Sequence, residues 1–219
     1  MIQDDYLLRL IARFQEGMGR IAENKKQGDM KKAHHEAGEL LNDVFGLHPT
    51  FLQTVSEYEL QASLRAGKVF NAQKALMMAE LLREHAETMR DAGSEEQEYV
   101  PVLITSLSVY IQALLDTRKL RTDEHIHNIS ALCEILDGYN LPVDVLGKLM
   151  DYYEMMGKFS EAENVLYELL EVDEERAVER GRNFYEALMT LPDEDLDAGE
   201  LPRSEVEEGL EMLRERDSS

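Results

Sequence analysis

The residues of this chain best suited to chemistry form one Glu-x-x-His motif, Glu124 and His127, which directly follows Asp123. Carboxylate and imidazole groups one helical turn apart are ligands in di-iron helical bundles, but those bundles need two such motifs and two further carboxylates. The sequence holds no second copy. The helix dipole also favours acidic residues in a first helical turn. We therefore interpret Asp123 and Glu124 as a solvated helix start and predict no metal site.

Other sequence signatures of enzyme chemistry are absent. There is no P-loop, no Gly-x-Gly-x-x-Gly after a strand and no His-Glu-x-x-His motif. His34 and His35 are adjacent, so they point in different directions from a helix. Cys133 falls among apolar residues at helical spacing, which favours a packed thiol over a nucleophile. We predict a non-enzymatic protein without catalytic residues and without cofactors.

The composition is typical of a soluble all-α protein. The 219 residues are 43% hydrophobic and 31% charged, with five prolines and no tryptophan. This length suits one large domain or two small ones. The most apolar stretch, Val100 to Leu115, is too short and too polar for a membrane span, and it predicts a buried helix. The single cysteine excludes an intrachain disulfide, and no signal peptide is evident, so we expect a cytoplasmic protein.

The charge is strongly negative and unevenly distributed. The formal net charge is -22. Such a chain repels polyanions, which makes nucleic acids and anionic membranes poor partners. From Ser160 onward there are 20 acidic and six basic residues. This acidity either keeps the protein soluble or attracts a basic partner, and the sequence leaves both interpretations open.

The stretch Leu146 to Glu171 predicts two helices joined by a tight turn. Gly157 suits the left-handed conformation that is common just past a helix end. Ser160 and Glu163 have the spacing of a capping box at the start of the second helix. Apolar residues follow every three or four positions on both sides of the turn, namely Leu146, Leu149, Tyr153 and Met156, then Ala162, Leu166 and Leu169. The short loop requires antiparallel packing.

This stretch resembles a tetratricopeptide repeat. The resemblance rests on six positions at the spacing of that motif: Leu149, Tyr153, Gly157, Phe159, Ala162 and Leu166. Met150 and Glu174 depart from the motif, at a small-residue position and near its closing proline. The resemblance implies a right-handed superhelix of stacked antiparallel helix pairs with a concave binding face. It also implies that Asp144, Gly147, Asp151 and Glu154 face this groove.

The turn layout recurs elsewhere in the chain. The segments 28–33 and 67–72 repeat the glycine, the apolar residue and the alanine of residues 157–162. We predict hairpin turns near residues 28, 67, 118 and 157 and no β-sheet. The predicted domain organisation is one stack over residues 1–190, with a possible sub-boundary near 91–98. An acidic linker follows over 191–202, and a terminal capping helix over 203–216.

The N-terminal segment Asp5 to Ile11 resembles the start of a bacterial family of helical proteins that carries only a domain-of-unknown-function label. That resemblance implies a bacterial source and no known activity.

The sequence therefore predicts a non-catalytic protein-interaction module, a scaffold or adaptor whose partner is a protein or peptide, possibly basic. One alternative is a cytosolic chaperone or adaptor for a basic or secreted client, which the charge favours. Another is a helical metalloprotein or enzyme. The oligomeric state stays open.

Overall fold

The computed structural model describes residues 2–48, 60, 64–66 and 69–217, and this part of the chain is all-α. Its contacts define two compact units, Met1–Tyr139 and Asn140–Ser219. Unit 1 contains α1 (Ile2–Lys26), α2 (Met30–Phe45), β1 (Arg65–Ala66), β2 (Val69–Phe70), α3 (Ala72–Asp91), α4 (Glu96–Asp116), a 3-10 turn (Arg118–Leu120) and α5 (Asp123–Ile135). Unit 2 contains α6 (Val143–Met155), α7 (Phe159–Val172), α8 (Glu174–Leu188), α9 (Asp193–Ala198) and α10 (Arg203–Asp217).

Helices α1 and α2 form the first hairpin, with the predicted turn at Gly28. Gly28 has a φ of 76°, in the left-handed region that favours glycine. The Asp29 side chain accepts a hydrogen bond from the backbone N–H of Lys32 at 3.0 Å and so caps α2. A Cβ atom at Gly17 would lie 2.5 Å from the side chain of Leu40. The absence of a side chain at Gly17 therefore allows close packing of α1 on α2.

Helices α3 and α4 form the centre of unit 1. They are joined by a turn at Gly93, whose φ is 92°. The buried hydroxyl of Ser106 donates to the carbonyl of Ala79 at 2.6 Å. Among the described residues, α4 is the one helix long and apolar enough to cross a membrane, and 61% of its apolar window is buried inside the protein. Leu107 and Ile111 of this helix are fully buried, as expected for a core helix.

The prediction of no β-sheet is wrong in one place, where two strands of two residues each form a small sheet. β1 and β2 pair in antiparallel fashion, with Arg65 opposite Phe70 and Ala66 opposite Val69. These pairs flank Gly67, where the turn layout predicted a helical hairpin. Gly67 and nearly all of the helix predicted before it lie outside the described residues. The other predicted turn, near residue 118, is confirmed by the 3-10 turn between α4 and α5.

In unit 2 the predicted hairpin at Gly157 is confirmed. Gly157 has a φ of 70° and donates its N–H to the carbonyl of Glu154 at 3.0 Å. Ala162 is fully buried on α7. The capping box predicted at Ser160 and Glu163 is wrong, because α7 already begins at Phe159 and the Ser160 N–H donates to the carbonyl of Gly199 at 3.0 Å.

Helix α8 packs between α7 and α10, and glycines make both contacts close. A Cβ at Gly181 would lie 2.6 Å from Leu213 and 2.8 Å from Leu166. A Cβ at Gly209 would lie 2.3 Å from the ring of Tyr185. Tyr185 is fully buried, so any added atom there would displace part of a filled core.

The segment 191–202, predicted as an acidic linker, is folded onto unit 2. It contains α9, and both Leu196 and Leu201 are fully buried. A Cβ at Gly199 would lie 2.2 Å from the ring of Phe159, so this segment covers the α6–α7 turn. The composition of this segment predicts a linker because acidic residues outnumber leucines in it. Leu196 and Leu201 nevertheless anchor the segment to unit 2.

The division between the two units lies between Tyr139 and Asn140. The residues around Gly93, in the range 91–98 where the sequence predicts a possible sub-boundary, join α3 and α4, which pack on each other. The single stack over residues 1–190 stays a prediction.

Candidate functional site

The four residues predicted to line an acidic groove lie on α6, and three of them contact arginines of α8. Arg176 donates to Asp144 at 3.0 Å. Arg180 donates to the carbonyl of Gly147 at 2.7 Å and also contacts the carboxylate of Asp151. We call this surface the α6–α8 face; it consists of Asp144, Gly147, Asp151, Glu154, Arg176 and Arg180.

The α8 arginines neutralise much of the negative charge that the sequence predicted for this face. Glu154 lies beside the same ion pair. Burial raises the pKa of Glu154, the charge of Asp151 raises it further, and Arg180 lowers it in part. The side chains of Asp144 and Arg176 remain 68% and 63% exposed. The face is therefore of mixed charge and accessible, and its ion pairs are of the weak surface type.

The sequence does not show that Arg176 and Arg180 belong to this face, because they lie about thirty positions from their partners. The spacing of the two arginines does indicate that they act together. They are four residues apart, which places them on one face of the helix that follows the hairpin. Gly147, with no side chain, leaves its carbonyl accessible to the Arg180 guanidinium.

A second surface on unit 2, which we call the α10 groove, is an open groove of about 760 Å³. Its lining comes from α10 and from Met189, just after α8. The lining residues are Met189, Glu207, Leu210, Glu211, Arg214 and Glu215. Met189 is 36% exposed and Leu210 is 7% exposed, so the groove has an apolar floor beside acidic side chains.

The charges around the α10 groove differ in how they are paired. At one end Arg203 contacts Asp193 and donates to the carbonyl of Met189 at 3.3 Å. Within the described part of the chain, Glu207 and Glu211 make no ion pair. The acidic potential of the groove is therefore not cancelled as it is on the α6–α8 face.

In unit 1, a polar network joins α3, α4 and α5 below the surface. Arg83 donates to Asn128 at 2.8 Å, and Asn128 donates to the hydroxyl of Tyr110 at 3.4 Å. Burial raises the pKa of the Tyr110 phenol. Tyr110 is 1% exposed, so its hydroxyl is closed to a substrate from solvent. This arrangement is suited to holding helices together.

Two stacked histidines lie between α2 and α3. The ring centroids of His34 and His85 are 4.7 Å apart, with planes inclined by 14°. Burial lowers the pKa of His85 to about 4, and the charge of His34 lowers it further. Burial also lowers the pKa of His34. The sequence shows only that His34 and His35 are adjacent and does not predict the pairing of His34 with His85.

The Glu-x-x-His motif lies in the first turns of α5, at the exposed start of this helix. Thr122 caps α5 by accepting from the N–H of His125 at 3.3 Å, and Asp123, Glu124 and His127 are exposed. Among the described residues, no group of three or more His, Cys, Asp or Glu side chains is placed to hold a metal ion. Cys133 carries a half-buried thiol, less completely packed than predicted.

The fold and these surfaces define a class, an all-α protein of two helical units with exposed charged faces. A protein-family model described as "Family of unknown function (DUF6483)" matches residues 1–218. The chain belongs to this family, and the predicted resemblance to a family of unknown function is confirmed. No curated protein matches the chain. No solved structure matches it either.

Proposed function

We propose that the protein is a non-catalytic protein-interaction module, a scaffold or adaptor that acts in the cytoplasm. The α10 groove is the observation that carries this proposal. It is an open groove of about 760 Å³ on the surface of unit 2. An apolar floor with polar sides is the general anatomy of protein interfaces, and methionine is enriched in them.

Within this proposal, α6, α7 and α8 are arranged as in a tetratricopeptide repeat followed by the first helix of the next. The support is local. Gly157 makes the expected left-handed turn, Ala162 is fully buried on α7, and arginines of α8 reach α6. Stacked helix pairs of this kind offer extended faces to proteins or peptides.

A non-catalytic role is supported by where the strongly perturbed titratable groups lie. Functional acids and bases are usually perturbed and accessible in a cleft. Here Tyr110, His85 and Tyr185 are 1%, 2% and 0% exposed. Their perturbed pKa values follow from burial in helix packing, so they are poorly placed to meet a substrate. The strong negative charge also makes nucleic acids and anionic membranes unfavourable partners.

The experiment is affinity purification of the tagged full chain from its native host, after cross-linking, with the tag alone as the control. We expect a reproducible set of enriched proteins, and recovery of the bait alone would refute the interaction role. Metal analysis of the same purified protein tests the rival class, because stoichiometric metal would favour a helical metalloprotein.

A further inference from the structure

The lining of the α10 groove repeats with the period of a helix. Glu207, Glu211 and Glu215 follow each other at intervals of four residues along α10, so they form one stripe. Eight residues of helix span about 12 Å, which is slightly more than two turns. Leu210 and Met189 lie beside the stripe and form the apolar part of the groove.

We propose that the α10 groove binds an amphipathic helix of a partner protein, with lysine or arginine residues one turn apart along its flank. This inference rests on the proposed interaction function and names the chemistry of the partner. Helix-in-groove recognition uses anchors at intervals of three and four residues, which matches the period of the groove lining. Met189 is an adaptable side chain suited to contact with apolar partner residues.

Charge complementarity indicates that the side chains of the partner that meet the groove are basic. The groove presents three glutamates and one arginine. Glu207 and Glu211 make no ion pair with any other residue that the structure describes. Basic side chains on the partner would pair with them without displacing an existing contact.

The α6–α8 face does not satisfy the same argument. A basic partner there would have to compete with Arg176 for Asp144 and with Arg180 for Asp151. The residues that form the α6–α8 face are also charged, apart from Gly147, so they offer no apolar floor to a partner helix. The groove on α10 is therefore the surface of unit 2 where the acidic character of the last sixty residues is available to a partner.

The test uses the full chain and a synthetic, fluorescently labelled amphipathic peptide with leucine on one face and lysine at every fourth position. A second peptide carries glutamate in place of each lysine. Binding is measured by fluorescence anisotropy at low and high salt. The groove variant is Glu207→Lys with Glu211→Lys. The control variant is Glu205→Lys with Glu208→Lys, which makes the same charge change at exposed positions of the same helix outside the groove lining.

We expect the lysine peptide to bind the wild-type chain and the control variant, and to bind the groove variant at least about tenfold more weakly. We expect the glutamate peptide to bind neither the wild-type chain nor the control variant. The affinity of the wild-type chain for the lysine peptide should fall as salt rises, since screening shortens the reach of exposed charges to about 8 Å at physiological ionic strength. Circular dichroism of both variants checks that the helices are retained.

Three results would overturn the inference: no binding of the lysine peptide, equal loss in both variants, or equal binding of the glutamate peptide. Equal loss would mean that the net charge alone attracts the peptide. These outcomes leave the proposed function standing if cross-linking still recovers a partner with the groove variant. Recovery of no partner by the wild-type chain would instead refute the interaction role itself.

Discussion

Lowering the pH should destabilise unit 1 through His85. This side chain is 2% exposed and its pKa is about 4, against 6.5 for an ordinary histidine. Below pH 6.5 the unfolded chain binds a proton at this position that the folded chain excludes. Stability contributed by neutral His85 is therefore fully present above 6.5 and is lost as the pH falls toward 4.

The magnitude follows from the gap between the two pKa values. A gap of about two and a half units, at about 1.4 kcal/mol per unit, corresponds to about 3 kcal/mol of unfolding free energy. His34 stacks on the same ring, and its own pKa is also lowered by burial and by His35, with Glu98 acting in the opposite direction. Protonation of both rings in the folded state is unfavourable, because two positive charges would then lie in contact.

The assay is urea unfolding followed by circular dichroism from about pH 7 to about pH 4. His85→Gln removes the titration while keeping a polar side chain of similar size. His127→Gln makes the same change at an exposed position of α5 and is the control. Hydrogen exchange of peptides from α2 and α3 reports on unit 1 separately. Titration of the many carboxylates is common to all three proteins and cancels when their curves are compared.

We expect the wild-type chain and the control to lose about 3 kcal/mol relative to His85→Gln over this range. The absolute stability of the variant at neutral pH is not the readout, since the substitution itself alters packing. The reasoning is refuted if the three proteins show parallel dependence on pH.

Three further predictions concern unit 2. Ala162→Leu should overpack the core around this fully buried residue of α7 and cost about 1–3 kcal/mol, seen as a lowered melting temperature; an unchanged value would mean that the site has room. Gly209→Ala should cost a similar amount, about 1–3 kcal/mol, because its Cβ would lie 2.3 Å from an aromatic ring. Gly19→Ala on α1, where nothing lies within 4 Å, is its control and should stabilise the helix. Asp151→Ala should cost less than about 1 kcal/mol, because its pair with Arg180 is partly exposed; a double-mutant cycle with Arg180→Ala measures the coupling, and a much larger value would contradict a surface pair.

The turns and helix ends were largely predictable from the sequence because their causes are local. Gly28 and Gly157 each adopt the left-handed backbone that follows a helix, and the choice of glycine is visible without any tertiary information. The periodicity of apolar residues predicted the α6–α7 hairpin and the burial of Ala162 for the same reason. Each of these signals acts within about one or two helical turns of the chain.

The candidate site depends on contacts that no local pattern encodes. The sequence placed Asp144 and Asp151 on one face of α6, but only the fold brings Arg180 to that face and cancels part of its charge. It predicted a side-chain cap at Ser160, but the backbone N–H of that residue donates to the carbonyl of Gly199, 39 positions away. Similarly, His34 and His85 are unremarkable alone and meet only because α2 packs on α3. Local propensity specifies where a helix begins and which side is apolar, whereas the neighbour that each polar side chain meets depends on which helix faces pack together.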